Sequence, residues 1–172
     1  MKQAALIALI VLASGCSTSD RRPDVYIDPT LKERPSKFVL IGGGRYRDEL
    51  AVHLARAGFE IIPGSAPNEE ELAPATIARY LDSGDRFGIK LDFVDDPDWQ
   101  CAFSMAHFVD ATIKVIDLQS NQTIIAIEQS GPYTDCPPMT LVWPLLANDL
   151  KEALSGHIKS NRKASEARSA SP

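Results

Sequence analysis

Residues 101–129, CAFSMAHFVDATIKVIDLQSNQTIIAIEQ, alternate with a period of two for almost their whole length. Cys101, Phe103, Met105, His107, Val109, Ala111, Ile113 and Val115 fall on one side, and Ala102, Ser104, Ala106, Phe108, Asp110, Thr112, Lys114 and Ile116 on the other. Successive side chains of a strand point to opposite faces, so the pattern is one long half-buried strand. Ser120 and Asn121 turn it, and residues 122–129 return with Thr123, Ile125 and Ile127 on the apolar face, against Ile124, Ala126 and Glu128. The spacing predicts an antiparallel hairpin inside a sheet that packs on one face.

Working upstream, Phe87, Ile89, Leu91 and Phe93 alternate with Gly88, Lys90 and Asp92, another strand with one solvated face. Residues 37–41 (KFVLI) are apolar without alternation and stop at Gly42, Gly43 and Gly44, which fits a strand buried on both sides followed by a turn. Leu50, Leu54 and Ala57 then recur at helical spacing beside Ala51 and Ala55, with Gly58 in the C-terminal capping position, predicting a helix over 46–57. Residues 59–62 (FEII) resume as a strand, completing a β-α-β unit whose strands run parallel. Between 66 and 83 the pattern suggests one helix broken at Pro74. Downstream, Leu141, Leu145, Leu146, Leu150 and Leu154 mark an amphipathic helix over 139–155, with Pro144 tolerated in its first turn. The fold class is α+β: a mixed sheet that starts β-α-β, continues as an antiparallel meander and ends in a helix.

The chain has 172 residues, 44% of them hydrophobic and 24% charged, which suits one globular domain. Its formal charge of -5, with 18 Lys and Arg against 23 Asp and Glu, excludes a polybasic nucleic-acid binder.

Its first residues, MKQAALIALIVLASGC, carry Lys2 and an apolar run over 4–13. As a helix that run spans roughly 15 Å, about half the hydrocarbon thickness of a bilayer, so residues 1–15 read as a signal peptide. Ala13, Ser14 and Gly15 before Cys16 resemble the lipobox of bacterial lipoproteins, with Ala13 where Leu is usual. The resemblance implies cleavage before Cys16 and acylation of its thiol. Two or three acyl chains exceed what stable anchoring needs. Ser17 in place of Asp points, by the same resemblance, to the periplasmic face of the outer membrane. Residues 16–36 then form the lipidated Cys and a flexible tether, 37–156 the domain, and 157–172 a disordered tail.

Acylation leaves Cys101 and Cys136 in an oxidising compartment, where two thiols in a small domain usually pair. Opposed positions in the hairpin sum to about 239 and the two cysteines to 237, so they come close to facing one another. The bridge would close a loop of about 35 residues, worth roughly 3 to 4 kcal/mol in the chain-entropy model. The alternatives are two free thiols or a redox pair, although CxxC spacing is absent.

Gly42, Gly43, Gly44 and Arg45, between a strand and a helix, form a candidate ligand or anion site, because backbone amides there can face an anion beside a guanidinium. The nucleotide motifs fail in detail: Arg47 stands where a dinucleotide fingerprint needs its third Gly, and no GK[ST] follows. His53, His107 and His157 are dispersed, and His107 reads as a histidine satisfied by one hydrogen bond. Asp92, Asp95, Asp96 and Asp98 lack the Gly and distal Glu of a calcium loop and, with Pro97, read as a solvated turn. No metal site or cofactor is expected. There is no GxSxG elbow, and the one SxxK match begins at Ser160 in the tail, so no enzyme is expected, a hydrolase being the alternative.

Lipobox, tether, strand, a helix ending ARAGFEII (residues 55–62), the antiparallel strands ATIKVIDLQSNQTIIAIEQSG (residues 111–131) and the last helix together resemble uncharacterised families of small α+β lipoproteins of the bacterial envelope. More loosely they are similar to the curli-secretion lipoprotein and the amino-terminal domain of TolB. The resemblance implies a cofactor-free protein that acts by contact with an envelope protein partner, as an accessory or assembly subunit held to the membrane through Cys16. A second expectation is a periplasmic binding or sensing domain for a small ligand or glycan, lined by Tyr133, Trp143 and Trp99 near the glycine turn.

Overall fold

The hairpin read from residues 101–129 becomes the middle of a six-stranded sheet. The computed structural model describes residues 23–42, 44–62, 84–101, 107–136 and 139–161. The strands are β1 (Asp24–Ile27), β2 (Lys37–Ile41), β3 (Glu60–Ile62), β4 (Phe87–Gln100), β5 (His107–Asp117) and β6 (Gln122–Pro132), arranged β1-β6-β5-β4-β2-β3. Helix α1 (Arg47–Ala57) joins β2 to β3, and α2 (Val142–Ser155) follows β6. Strand β2 is parallel to both β3 and β4, whereas β4, β5, β6 and β1 pair antiparallel. The architecture is therefore a mixed α+β sheet with a closing C-terminal helix, as the pattern predicts.

Cross-strand register shows how the core is assembled. Val25, Ile127, Ile113 and Leu91 form one line across four strands, and Ile27, Ile125, Val115, Ile89 and Leu40 form the next. Both lines face the helices, where Leu50 and Leu54 of α1 and Val142, Trp143, Leu146 and Leu150 of α2 complete one cluster. Gly58 caps α1 at φ 103° with its N–H on Ala55 O, a left-handed conformation that favours glycine. Pro144 stands in the first turn of α2, where its missing N–H costs no helical hydrogen bond.

The other face has a different chemistry. Tyr26, Ala126, Lys114, Lys90 and Ile41 lie in register across it. Two lysines directly opposed repel one another. Asp92 answers both, 2.9 Å from Lys114 Nζ and 3.2 Å from Lys90 Nζ, which allows Lys114 to lie 6% exposed. Beside this row, Ile41, Ile116 and Leu118 form a small apolar cluster. Ile41 Cδ1 lies 2.2 Å from where a Cβ on Gly88 would stand, so any larger residue there would force the Ile41 side chain to move.

The structure departs from the sequence reading at five places. The long strand read from Cys101 starts at His107 as β5, and Cys101 instead follows β4, whose Gln100 pairs with His107. Residues 24–27 are not tether but strand: Val25 and Ile27 reach the core by pairing with Ile127 and Ile125. At the other end the fixed chain continues to residue 161 instead of becoming a disordered tail at 157. Ile158 packs on the core, and the Asn161 carboxamide treats β1 as another strand would. Its Oδ1 accepts the Val25 N–H at 2.6 Å, its Nδ2 donates to Pro23 O at 3.0 Å, and its own backbone N–H donates to Val25 O at 2.9 Å. The aspartate-rich segment is no turn either. Strand β4 runs through it to Gln100, absorbing Pro97 in a register shift between Asp96 and Gln100. Finally, Ile124 joins the core cluster because a register shift at Val115/Ile116 places it between Thr123 and Ile125, both paired. Cys16, the signal segment and the broken helix read over 66–83 lie outside the described residues.

Asp149 on α2 offers a check on how the helix meets the sheet. Burial raises its pKa above 3.8, while the hydrogen bond it accepts from Gln129 Nε2 at 2.8 Å acts the other way and Glu152 adds to the rise. A carboxyl whose folded pKa lies above its unfolded value contributes stability below the unfolded pKa and loses it as pH rises through the folded one. Asp149→Asn keeps the acceptor and removes a charge that is half-buried and therefore partly screened by solvent. It is expected to stabilise at pH 7 by on the order of 0.5 kcal/mol, about 2 °C in Tm, with the gain fading towards pH 3. Thermal scans from pH 3 to 7 test this; a pH-independent difference would contradict the burial of the ionised form.

Candidate functional site

Two segments meet at the end of the sheet where β2 stops: the glycine turn before α1 and the loop after β6. Gly42 takes φ 83°, which turns the chain out of β2, and the site of a Cβ on Gly44 has only Phe93 Cε1 nearby, at 4.0 Å. Gly43 and the side chain of Trp99 are outside the described residues. The turn delivers Tyr46 as the N-cap of α1, without a capping side-chain bond, and drives its ring inwards to 3% exposure. The ring centre lies 4.9 Å from Phe93, 5.2 Å from Tyr133 and 4.9 Å from Trp143. Such tilted contacts add to plain area burial.

Arg45 leads away from the glycines and lies on this aromatic group. Its guanidinium carbon is 5.1 Å from the Tyr46 ring centre and 5.5 Å from that of Tyr133. The residue is exposed, and its guanidinium lies within cation–π range of both rings. Below it the Tyr46 hydroxyl is buried with no hydrogen-bond partner among the described residues, and burial is the main cause of its raised pKa. The positive end of α1 is already answered by Asp48 and Glu49 in its first turn.

The loop side is fixed by two devices. Trp143 Nε1–H donates to Tyr133 O at 3.0 Å, and a disulfide joins Cys101 to Cys136 with their Cα atoms 5.7 Å apart. Tyr133 and Trp143 do come together with the glycine turn. Tyr133 is half-buried at the surface, whereas Trp143 is 1% exposed and belongs to the core, so it lines nothing. Tyr46 and Phe93, which link the two segments, carry no sequence signal of that role beyond their aromatic type.

Between β2, α1 and β4, beside Gly42, Gly44, Arg47 and Phe93, there is a dent of about 10 Å³, enough for one water. His107 is half-buried on β5, and its Nδ1 is buried without a hydrogen-bond partner among the described residues, so the expected single satisfying bond is not found on that nitrogen. His53 sits on α1, its pKa lowered by burial and by Arg56, and His157 follows α2, its Nδ1 2.9 Å from Ser155 Oγ. Among the described residues no three His, Cys, Asp or Glu side chains stand together as metal ligands, and no helix is long and apolar enough to cross a membrane.

No protein-family model matches the sequence, and no curated protein matches it. Solved structures do. A variant PelC dodecamer from Paraburkholderia phytofirmans shares 13% identity and a TM-score of 0.51, over 77% of this chain and 96% of that one. A PelC dodecamer from the same organism in another crystal form gives 11% and 0.48, over 82% and 99%. Lipoprotein GNA1162 from Neisseria meningitidis gives 11% and 0.41, over 74% and 100%. The first of these likenesses establishes a shared fold, a six-stranded mixed sheet with its helices.

Proposed function

We propose that this is a non-enzymatic lipoprotein of the bacterial envelope, anchored through Cys16 at the periplasmic face of the outer membrane, where it acts by protein contacts as an accessory or assembly subunit. The observation that carries the reading is Arg45, exposed with its guanidinium carbon 5.1 Å from the Tyr46 ring centre and 5.5 Å from that of Tyr133. Arg and Tyr are among the residue types that dominate interface energies, and a guanidinium already fixed in place loses little entropy on binding. That the PelC neighbour is a dodecamer supports assembly as a use of this fold. The small-ligand or glycan reading has less behind it, because the dent beside the glycine turn has room for about one water.

The test is crosslinking in detergent extracts of the native membrane, followed by intact mass of the released chain. The mass is expected to begin at Cys16 with acyl groups added. A crosslinked species is expected, whether with a second copy or another envelope protein, and Arg45→Ala or Tyr133→Ala should weaken it roughly 10-fold, the effect of losing a moderate hot spot. A clean monomer under crosslinking, or complexes indifferent to both variants, would overturn the reading.

A further inference from the structure

Strand β1 ends the sheet, and an end strand presents one row of peptide N–H and C=O groups that no neighbouring strand pairs. On β1 that row belongs to Val25 and Ile27. The Asp28 N–H donates to Ile124 O at 2.8 Å, so Asp24, Tyr26 and Asp28 turn their peptide groups towards β6, and the residues between them turn theirs away. The Val25 groups are taken. Asn161 Oδ1 accepts the Val25 N–H at 2.6 Å, and Val25 O accepts the Asn161 N–H at 2.9 Å and the Ser160 hydroxyl at 3.2 Å. Those are the two bonds that a residue of a paired strand would exchange with Val25. Asn161 Nδ2 extends the match to Pro23 O at 3.0 Å, in the same row, where proline has no N–H to offer. The outward groups of Ile27 meet no such partner among the described residues.

A second copy of β1 fits this row. Laid antiparallel about a two-fold axis, Tyr26 meets Tyr26 of the second copy, and Val25 exchanges both hydrogen bonds with Ile27 of the second copy, as Ile27 does with its Val25. Val25 and Ile27 belong to the core under the helices, so the two sheets would continue as one with all helices on the same side. Only the ends of the pairing disagree, because Asp24 stands opposite Asp28 of the second copy at both of them. We propose that Ser160 and Asn161 are an autoinhibitory stop on the sheet edge: they hold on Val25 the place of a second copy's β1, and two copies join edge to edge only when this segment is displaced. Lys159, Ser160 and Asn161 are exposed and bring no apolar side chain to the core, so the stop can leave β1 without disturbing the packing beneath it. The inference goes beyond the contact proposed at Arg45 and does not depend on it.

The test uses the mature chain with Cys16→Ser, so that acyl chains do not drive association. Sedimentation equilibrium gives the dimer dissociation constant, and amide hydrogen exchange reads the edge itself. In the parent the Val25 N–H is expected to exchange slowly and the Ile27 N–H fast. Asn161→Ala is expected to associate about 10-fold more tightly or better at an unchanged far-UV spectrum, with both amides protected in the dimer. Adding Asp24→Lys replaces both oppositions of Asp24 and Asp28 by pairs of opposite charge, and should tighten association by about another 10-fold. Adding Arg45→Ala instead should leave it unchanged, which keeps this edge apart from the contact at Arg45. Should Asn161→Ala not fold, Asn161→Asp, which cannot donate to Pro23 O, carries the same test. A variant at 161 that stays as monomeric as the parent, or that associates with the Ile27 N–H still exchanging fast and no response to Asp24→Lys, would overturn the proposal. So would equal association of Asp24→Lys with Asn161 in place, since charge and not Asn161 would then be the stop.

Discussion

Replacing Cys101 and Cys136 together by Ser is expected to lower the unfolding free energy by about 3 to 4 kcal/mol, a drop of roughly 10 to 15 °C in Tm. The bridge spans a sequence separation of 35, and in the chain-entropy model most of its effect lies in the unfolded ensemble, where it removes that loop's freedom. The native geometry is compatible with this origin. Strands β4 and β6 are not neighbours, since β5 lies between them, and two strand spacings amount to about 9.6 Å. The Cα atoms of the cysteines stand only 5.7 Å apart, so the two chains draw together beyond His107, where β5 begins. The bridge closes the open end of a ladder whose hydrogen bonds do not depend on it. The double variant should therefore keep its far-UV spectrum at 20 °C and unfold at lower denaturant, and reduction of the parent should reproduce it. A change below about 1 kcal/mol would mean that the unfolded chain already holds β4 near β6, and an altered native spectrum would mean that the bridge organises the sheet.

What the sequence discloses about this protein is what local patterns can carry. Val109, Ala111, Ile113 and Val115 alternate because one strand face is buried, and the alternation survives in the structure with every member in the core. Gly58 is legible because a helix end needs a left-handed residue, and the cysteine pair because two thiols in a small domain of an oxidising compartment usually bond; the hairpin arithmetic misplaces Cys101, which follows β4 and not β5. Strand β1 is illegible for the opposite reason. Val25, Tyr26 and Ile27 are a short apolar island among Asp, Arg and Pro, and they become a strand only through β6, a hundred residues later. Asn161 is harder still, since a carboxamide that stands in for a peptide group has the composition of any polar tail. At Asp96 and at Ile124 the period of two breaks at register shifts, which a pattern search reads as a turn in one case and as an outward residue in the other. The candidate site divides along the same line. Arg45 stands out beside three glycines, but the glycines suggest an anion, whereas the fold lays Arg45 on two tyrosines. Tyr46, the ring at the centre, is a tertiary choice that no spacing announces.

Trp143→Ala is expected to cost about 4 kcal/mol, the range for removing a fully buried large aromatic. Three terms combine at this position. The indole is 1% exposed in the core shared by both helices and the sheet, so its removal leaves a cavity that neighbours fill only partly. Its ring contact with Tyr46, at 4.9 Å, is lost. Its Nε1–H no longer holds Tyr133 O, a bond worth about 1 kcal/mol net. Trp143→Phe separates these terms, since it keeps much of the volume and the aromatic contact but has no donor, and it should cost about 2 kcal/mol. The two variants also differ in what they do to the surface. In Trp143→Phe the fold persists while the loop carrying Tyr133 loses its tie to α2, so the seat under Arg45 loosens without the core collapsing. Chemical denaturation gives the stability of each variant, and crosslinking in membrane extracts gives the competence of the surface. If Trp143→Phe keeps most of its stability yet loses crosslinking as Arg45→Ala does, Trp143 acts on the contact by positioning Tyr133. If crosslinking survives in Trp143→Phe, the disulfide alone is enough to place Tyr133, and Trp143 is simply a core residue.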